Sequence, residues 1–259
     1  MRIGTGGLAG HCPCMDIQRE QRKFRESKPS RLGRGIERLT HPLGKTLADM
    51  VPKRVVEMIL NGLDRAVDAP QLVRFDHDPK DMDQAYQAAR KVTRAARSVS
   101  ATTGAAAGLG GALSMSADIP ATIGIALRII RDTGRAYGFD GEGQAEKLFR
   151  LQILELAALN DPEQRQARIA DLERGIGAEG QLVHSDHEHI TPIVDQVVER
   201  ISRALAFASV RSRIGMVVPL VGSVVGGIVN SSFQNDVGKA ARFAFQARRL
   251  RADEGVIEA

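Results

Sequence analysis

The chain has 259 residues, 43% of them hydrophobic but only 4% aromatic, with no Trp. It is too apolar for general disorder and too poor in aromatic and β-branched alternation for a sandwich or barrel, so close-packed helices of Ala, Val, Leu and Ile are expected. A formal net charge of +5 and a pI near 9.5 suit anionic surfaces, and without stacking aromatics or a reading helix the expected surface is phospholipid rather than nucleic acid.

The two cysteines lie together in His11-Cys12-Pro13-Cys14, too close for a disulfide framework. No apolar h-region of a secretory signal is visible, which points to a cytoplasmic protein, and Met15 is a second candidate start. Asp16–Arg38 is dense in charge with little apolar periodicity, so residues 1–38 are expected to form a charged leader, flexible or helical only in patches.

Regular structure is expected from Leu39 onward. Val55, Ile59, Leu63 and Val67 recur every four residues and predict an amphipathic helix over Lys53–Val67, interrupted by Asp68-Ala69-Pro70. Phe75-Asp76-His77-Asp78-Pro79 reads as a turn. Lys80–Ser98 is a second helix, with Met82, Ala85, Ala89, Val92 and Ala96 on one side and Arg90, Lys91, Arg94 and Arg97 elsewhere.

The stretch from Gly104 to Gly138 is the most distinctive. Gly104, Gly108, Gly110 and Gly111 stand among alanines, and each weakens a helix by roughly 1 kcal/mol relative to alanine. Small residues at this spacing allow close backbone approach, so tight helix packing is the expected compensation. Asp118-Ile119-Pro120 reads as a helix restart, with the aspartate as cap and proline in the first turn. Ile119, Ile123, Leu127 and Ile130 share a face, Arg128, Arg131 and Arg135 follow, and Gly138 is the expected stop. The expectation is a helical hairpin with an apolar body and a basic foot.

Phe139–Gly143 reads as a loop, Ala145–Leu159 as a core helix apolar on most sides, and Asp161-Pro162 as the start of another helix running to a glycine-rich break over residues 175–180. No strand precedes that break and no Lys-Ser/Thr follows it, so it is not a phosphate loop. His184, His187 and His189 are a weak metal candidate, since neighbours on a short loop do not converge on one ion; the plainer reading is a solvated loop before the cap Thr191-Pro192. Pro192–Ala208 carries a stripe of Val194, Val197, Ile201 and Leu205. Ile214–Asn235 has no charge and passes the spanning threshold of about 20 residues, but Pro219, Gly222, Gly226 and Gly227 interrupt it. It is expected to be a buried or membrane-dipping helix packed on the first hairpin. Asp236–Arg251 is then a separate helix, its Arg242, Arg248 and Arg249 placed to complement the dipole or to meet phospholipid.

The blocks Gly110-Gly111, Ala117-Asp118-Ile119-Pro120, Leu127-Arg128 and Ala136–Asp140, followed by Val218-Pro219, Val221-Gly222, Val225-Gly226, Asn230, Ala241, Phe245 and Arg248-Arg249-Leu250, resemble the signature of the EcsC family over roughly Leu39 to Arg251. The resemblance implies no enzymatic activity, catalytic residue or cofactor. Its bacterial prototype is linked to an ABC transporter operon and to secretion, which implies an accessory role beside a transporter.

The expected protein is therefore an all-α, multi-helix bundle in which two glycine/alanine-rich apolar segments pack together through Gly104, Gly108, Gly111, Asp118, Pro120, Pro219, Gly222, Gly226 and Asn230. It would sit on the inner face of the cytoplasmic membrane, with Arg128, Arg131, Arg135, Arg242, Arg248 and Arg249 touching anionic lipid or a partner. The alternatives are a soluble helical interaction protein and, behind it, a metal-dependent enzyme using the three histidines.

Overall fold

A computed structural model describes residues 13–27, 53–108, 115–159, 161–183 and 219–257. Among them run seven α-helices: α1 (Pro13–Glu26), α2 (Lys53–Asp68), α3 (Met82–Gly108), α4 (Met115–Ala136), α5 (Gln144–Ala158), α6 (Pro162–Arg174) and α7 (Pro219–Ile257), with a short 3-10 turn at Ala178–Gly180. The described residues contain no strand, only an isolated antiparallel bridge between Ile176 and Leu182. The fold is all-α, as the composition requires.

The core forms around α7. Val237, Ala240, Ala241, Phe243, Ala244 and Phe245 are buried, and the helix packs against α1, α3, α4, α5 and α6, so it runs through the middle of the bundle rather than along its surface. At 39 residues it is about 58 Å long. The expected division into Ile214–Asn235 and a separate Asp236–Arg251 is corrected: α7 is continuous through Asn235-Asp236, and Asp236 pairs with Lys239 one turn on. It also continues beyond Arg251 into the expected tail. Arg248 and Arg249 are therefore internal to the helix, and the dipole does not account for them.

α3 and α4 pack against each other and against α7. Gly238 of α7 meets Thr93 of α3, and Arg242 lies over Tyr86, so α3 runs antiparallel to α7. Gln234 Nε2 donates to Thr122 O and Phe245 packs on Gly134, so α4 runs parallel to it. The second expected helix and the first glycine-rich arm are one helix, α3. α4 begins at Met115, so Asp118 and Pro120 lie inside its opening turns rather than at a cap.

Ile123, Leu127 and Ile130 are buried as expected, and so are Ala126 and Ile129 between them, because α4 is wedged among α2, α3, α5 and α7. It stops at Gly138, whose φ of +83° is the left-handed conformation glycine adopts without penalty. Gly138 N donates to Arg135 O at 3.0 Å and Phe139 N to Gly134 O at 2.9 Å, which closes the free carbonyls of the last turn.

α5 is a core helix, with Leu148, Phe149, Leu151, Ile153, Leu154 and Leu156 buried. α6 starts on the predicted cap: Asp161 Oδ1 accepts from Gln164 N at 2.8 Å and Pro162 fills the first position.

Residues 13–26 form α1, and its face of Ile17, Gln21 and Phe24 packs on α7. The spacing of four and three residues is helical, but its middle member is polar, and hydropathy alone passes over it. Gln21 is buried because Nε2 donates to Phe243 O at 3.0 Å and to Gln246 Oε1 at 2.9 Å.

Gly104 and Gly108 fall in the last turns of α3, and Pro219, Gly222, Gly226 and Asn230 in the opening turns of α7, but what these residues touch lies outside the described part, as does Gly111. The described glycines that seat a neighbour are others. A Cβ on Gly134 would meet Phe245 Cζ at 2.8 Å, and one on Gly62 would meet Leu127 Cδ1 at 3.0 Å. No helix among the described residues is long and apolar enough to cross a membrane.

Candidate functional site

The arginines expected to form a basic foot are turned to partners inside the fold. Arg131 is buried and caps the end of α2: its Nη1 donates to the carbonyl oxygens of Ala66, Val67 and Ala69, the last at 2.6 Å, and Nη2 to Pro70 O at 3.3 Å. A helix leaves its last four carbonyls without intrahelical partners, and a guanidinium there satisfies them while opposing the negative end of the dipole. Its charge is balanced by buried Asp132, whose Oδ1 takes Arg131 Nε at 2.8 Å and whose Oδ2 takes Leu72 N at 2.7 Å.

Arg128 donates to Pro70 O, Arg135 pairs with Asp140 at 2.7 Å, and Arg249 pairs with Asp253 at 2.7 Å. Arg248 is buried, paired with Glu146 at 2.7 Å and bonded to Gly180 O, its guanidinium 4.1 Å from the centroid of Phe139. Arg131 and Arg248 therefore do not reach any surface. At those two positions the charge is met inside the fold, by Asp132 and by Glu146, as a buried charge requires.

A run of cations with unused charge lies on α3. Arg90, Lys91 and Arg94 are exposed, opposite the buried Ala85, Ala88, Ala89, Val92 and Ala96. Among the described residues none of the three makes an ion pair. The chain has no acidic residue between Asp83 and Asp118, so nothing on this helix neutralises them. Spacings of three and four residues line Arg90, Lys91 and Arg94 along one side of the helix.

The stripe ends in a cluster that also draws on α1 and α7. Tyr86 carries Arg90 at 5.7 Å and Arg242 at 5.9 Å from its ring centroid, a placement in which the ring's negative faces attract both guanidinium groups. Its hydroxyl donates to Glu20 Oε1 of α1 at 2.7 Å. Arg242 also donates to Thr93 Oγ1 at 3.2 Å, and Thr93 to Ala89 O at 3.2 Å. Burial pushes the Tyr86 phenol above its ordinary pKa, and the bond to Glu20 pushes it further. Among the six predicted arginines only Arg242 belongs to this cluster. Tyr86 and Glu20 were not foreseen; the signal available for the stripe was the absence of acids after Asp83.

α1 closes one side of the cluster. Phe24 stacks on Phe243 with centroids 4.5 Å apart, Arg165 covers the other face of Phe24 at 4.2 Å, and Arg25 pairs with Glu173. Beneath it lies Tyr137, fully buried, with neither its Oη nor the neighbouring Gln246 Nε2 given a hydrogen-bond partner among the described residues. Burial pushes the Tyr137 phenol far above its ordinary pKa.

His184, His187 and His189 lie outside the described residues. Among the described residues no group of three His, Cys, Asp or Glu side chains is placed to hold a metal.

The family model described as the EcsC protein family matches residues 15–250, starting within α1 rather than at Leu39. The chain is 25% identical over 209 residues to the uncharacterized protein YdbA of Bacillus subtilis (strain 168), covering 80% of this chain and 69% of that one. It is 20% identical over 230 residues to Protein EcsC of the same organism, covering 85% of this chain and 89% of that one. No solved structure matches the chain.

Proposed function

Starting from the chain's membership of the EcsC protein family, we propose that it is a non-enzymatic accessory protein that binds anionic phospholipid on the inner face of the cytoplasmic membrane, beside a membrane protein such as a transporter. The observation that carries the reading is the stripe of Arg90, Lys91 and Arg94, exposed and without ion pairs among the described residues, on a helix free of acids after Asp83. Juxtamembrane cations attract an anionic leaflet by about 1 kcal/mol each, falling off within a Debye length. The contact is peripheral and needs no spanning helix.

Flotation with vesicles of phosphatidylglycerol tests it. The protein should rise with them at low salt and stay at the bottom at high salt or with neutral phosphatidylcholine. A protein that remains at the bottom with anionic vesicles at low salt rules this reading out.

A second reading, a helical protein-interaction domain with no lipid role, is favoured by the inward engagement of Arg131 and Arg248. Washing native membranes with carbonate or high salt separates the two, since under this reading the protein is absent from the membrane pellet before any wash.

A further inference from the structure

We propose that α1 is a displaceable strap: a phosphate-bearing lipid headgroup arriving at Tyr86, Arg90 and Arg242 takes the place of the Glu20 carboxylate, and the helix leaves its seat on α7 to lie in the membrane interface. The proposal rests on the lipid reading above.

Glu20 already does what an incoming anion would do. Its carboxylate accepts from Tyr86 Oη at 2.7 Å, on the ring that Arg90 and Arg242 flank at 5.7 and 5.9 Å. It makes an ion pair with neither guanidinium, nor does any other carboxylate among the described residues. Both cations therefore retain unused charge, and a phosphate, with more oxygens and more charge than a carboxylate, uses it better.

The seat of α1 is also suited to release. Among the described side chains of α1, Ile17 and Phe24 bring the apolar surface, and the other ties are polar: Gln21 to Phe243 O and Gln246, Arg25 to Glu173, Arg165 to Phe24 O, Gln166 to Arg25 O, and Glu20 to Tyr86. At 14 residues α1 is near the length at which a helix in water needs support from outside itself. Arg19, Arg22 and Lys23 are exposed on the side away from Ile17 and Phe24. A helix with an aromatic and an aliphatic residue on one side and three cations on the other fits an anionic bilayer interface.

The chain has no Trp, so Phe24→Trp supplies a single reporter on the buried face of α1. The full chain carrying it is mixed with phosphatidylglycerol vesicles whose acyl chains are brominated. The strap predicts bromine quenching of the indole, and none with brominated phosphatidylcholine. If F24W fails to fold by circular dichroism, Ile17→Trp takes its place.

A protein that floats with the vesicles and is not quenched overturns the strap and leaves the lipid reading standing; one that does not float overturns both. Inorganic phosphate that alters the indole emission by itself overturns the lipid as occupant. Glu20→Gln should lower the vesicle concentration for half-maximal quenching about threefold, the size expected for one partly exposed charged contact, and an unchanged midpoint overturns the role given to Glu20.

Discussion

Gly238 of α7 meets Thr93 of α3 so closely that a methyl group on the glycine would lie 2.6 Å from Thr93 Cγ2 and nearer still to Oγ1. Glycine inside a helix is unfavourable, and this one is kept because the two helices cross there. Gly238→Ala should therefore destabilise the protein even though alanine is the better helix former, by about 1–3 kcal/mol from overpacking. Thr93→Ala removes the obstructing atoms, so the double variant should recover part of the loss. Urea denaturation of the four proteins checks it, and an additive pair removes the argument.

Arg131 and Asp132 carry the end of α2 and the loop after it. Arg131→Met leaves buried Asp132 with only the more distant Arg135, 3.9 Å away, as counter-charge and frees the carbonyls of Ala66, Val67 and Ala69. A loss of about 3–5 kcal/mol follows from breaking a buried pair by removing one partner. Thermal melting should show it, whereas Lys147→Ala, which breaks a pair with exposed Asp64, should cost under about 1 kcal/mol.

Gly138 ends α4 at a φ of +83°. A side chain there costs about 1–2 kcal/mol for the left-handed backbone, and its Cβ would lie 3.2 Å from Pro79 Cβ. Gly138→Val should lose more than Gly138→Asn, since asparagine tolerates this conformation, and equilibrium denaturation of the pair gives the order.

The chain's two tyrosines, Tyr86 and Tyr137, are both held above the ordinary phenol value of 10.0 by burial. The folded state favours their neutral forms, so the stability linked to them is complete below pH 10.0 and is lost as pH rises through the raised folded values. An ultraviolet titration of tyrosinate should show both ionising later in the native than in the unfolded chain. Tyr137→Phe should be neutral within about 1 kcal/mol or stabilising, because the hydroxyl it deletes is buried without a partner among the described residues.

Charge reversal on the stripe separates binding from folding. Arg90→Glu, Lys91→Glu and Arg94→Glu together should abolish flotation with anionic vesicles while changing stability by no more than about 0.5 kcal/mol per site, as exposed positions do. Lost flotation accompanied by lost structure in circular dichroism would make the result one of folding.

The amino-acid sequence alone determined the helical class, the core stripes of α2, α4 and α5, the Asp161-Pro162 start and the Gly138 stop, because each depends on residues within a few turns of one another. Close approaches to glycine among the described residues include Gly238, Gly134 and Gly62, whereas the contacts of the glycines expected to pack lie outside the described part. Only the tertiary structure decided which charges are spent. Arg131 and Arg90 are the same residue type on similar helices, and one is sealed against the end of α2 while the other faces outward. The docking of α1 through Gln21 was likewise hidden, because a buried amide is stable only when a distant carbonyl completes it, and Phe243 stands 222 positions away along the chain. Local propensity is written in neighbouring residues, whereas the fate of a charge or an amide depends on partners that folding alone brings near.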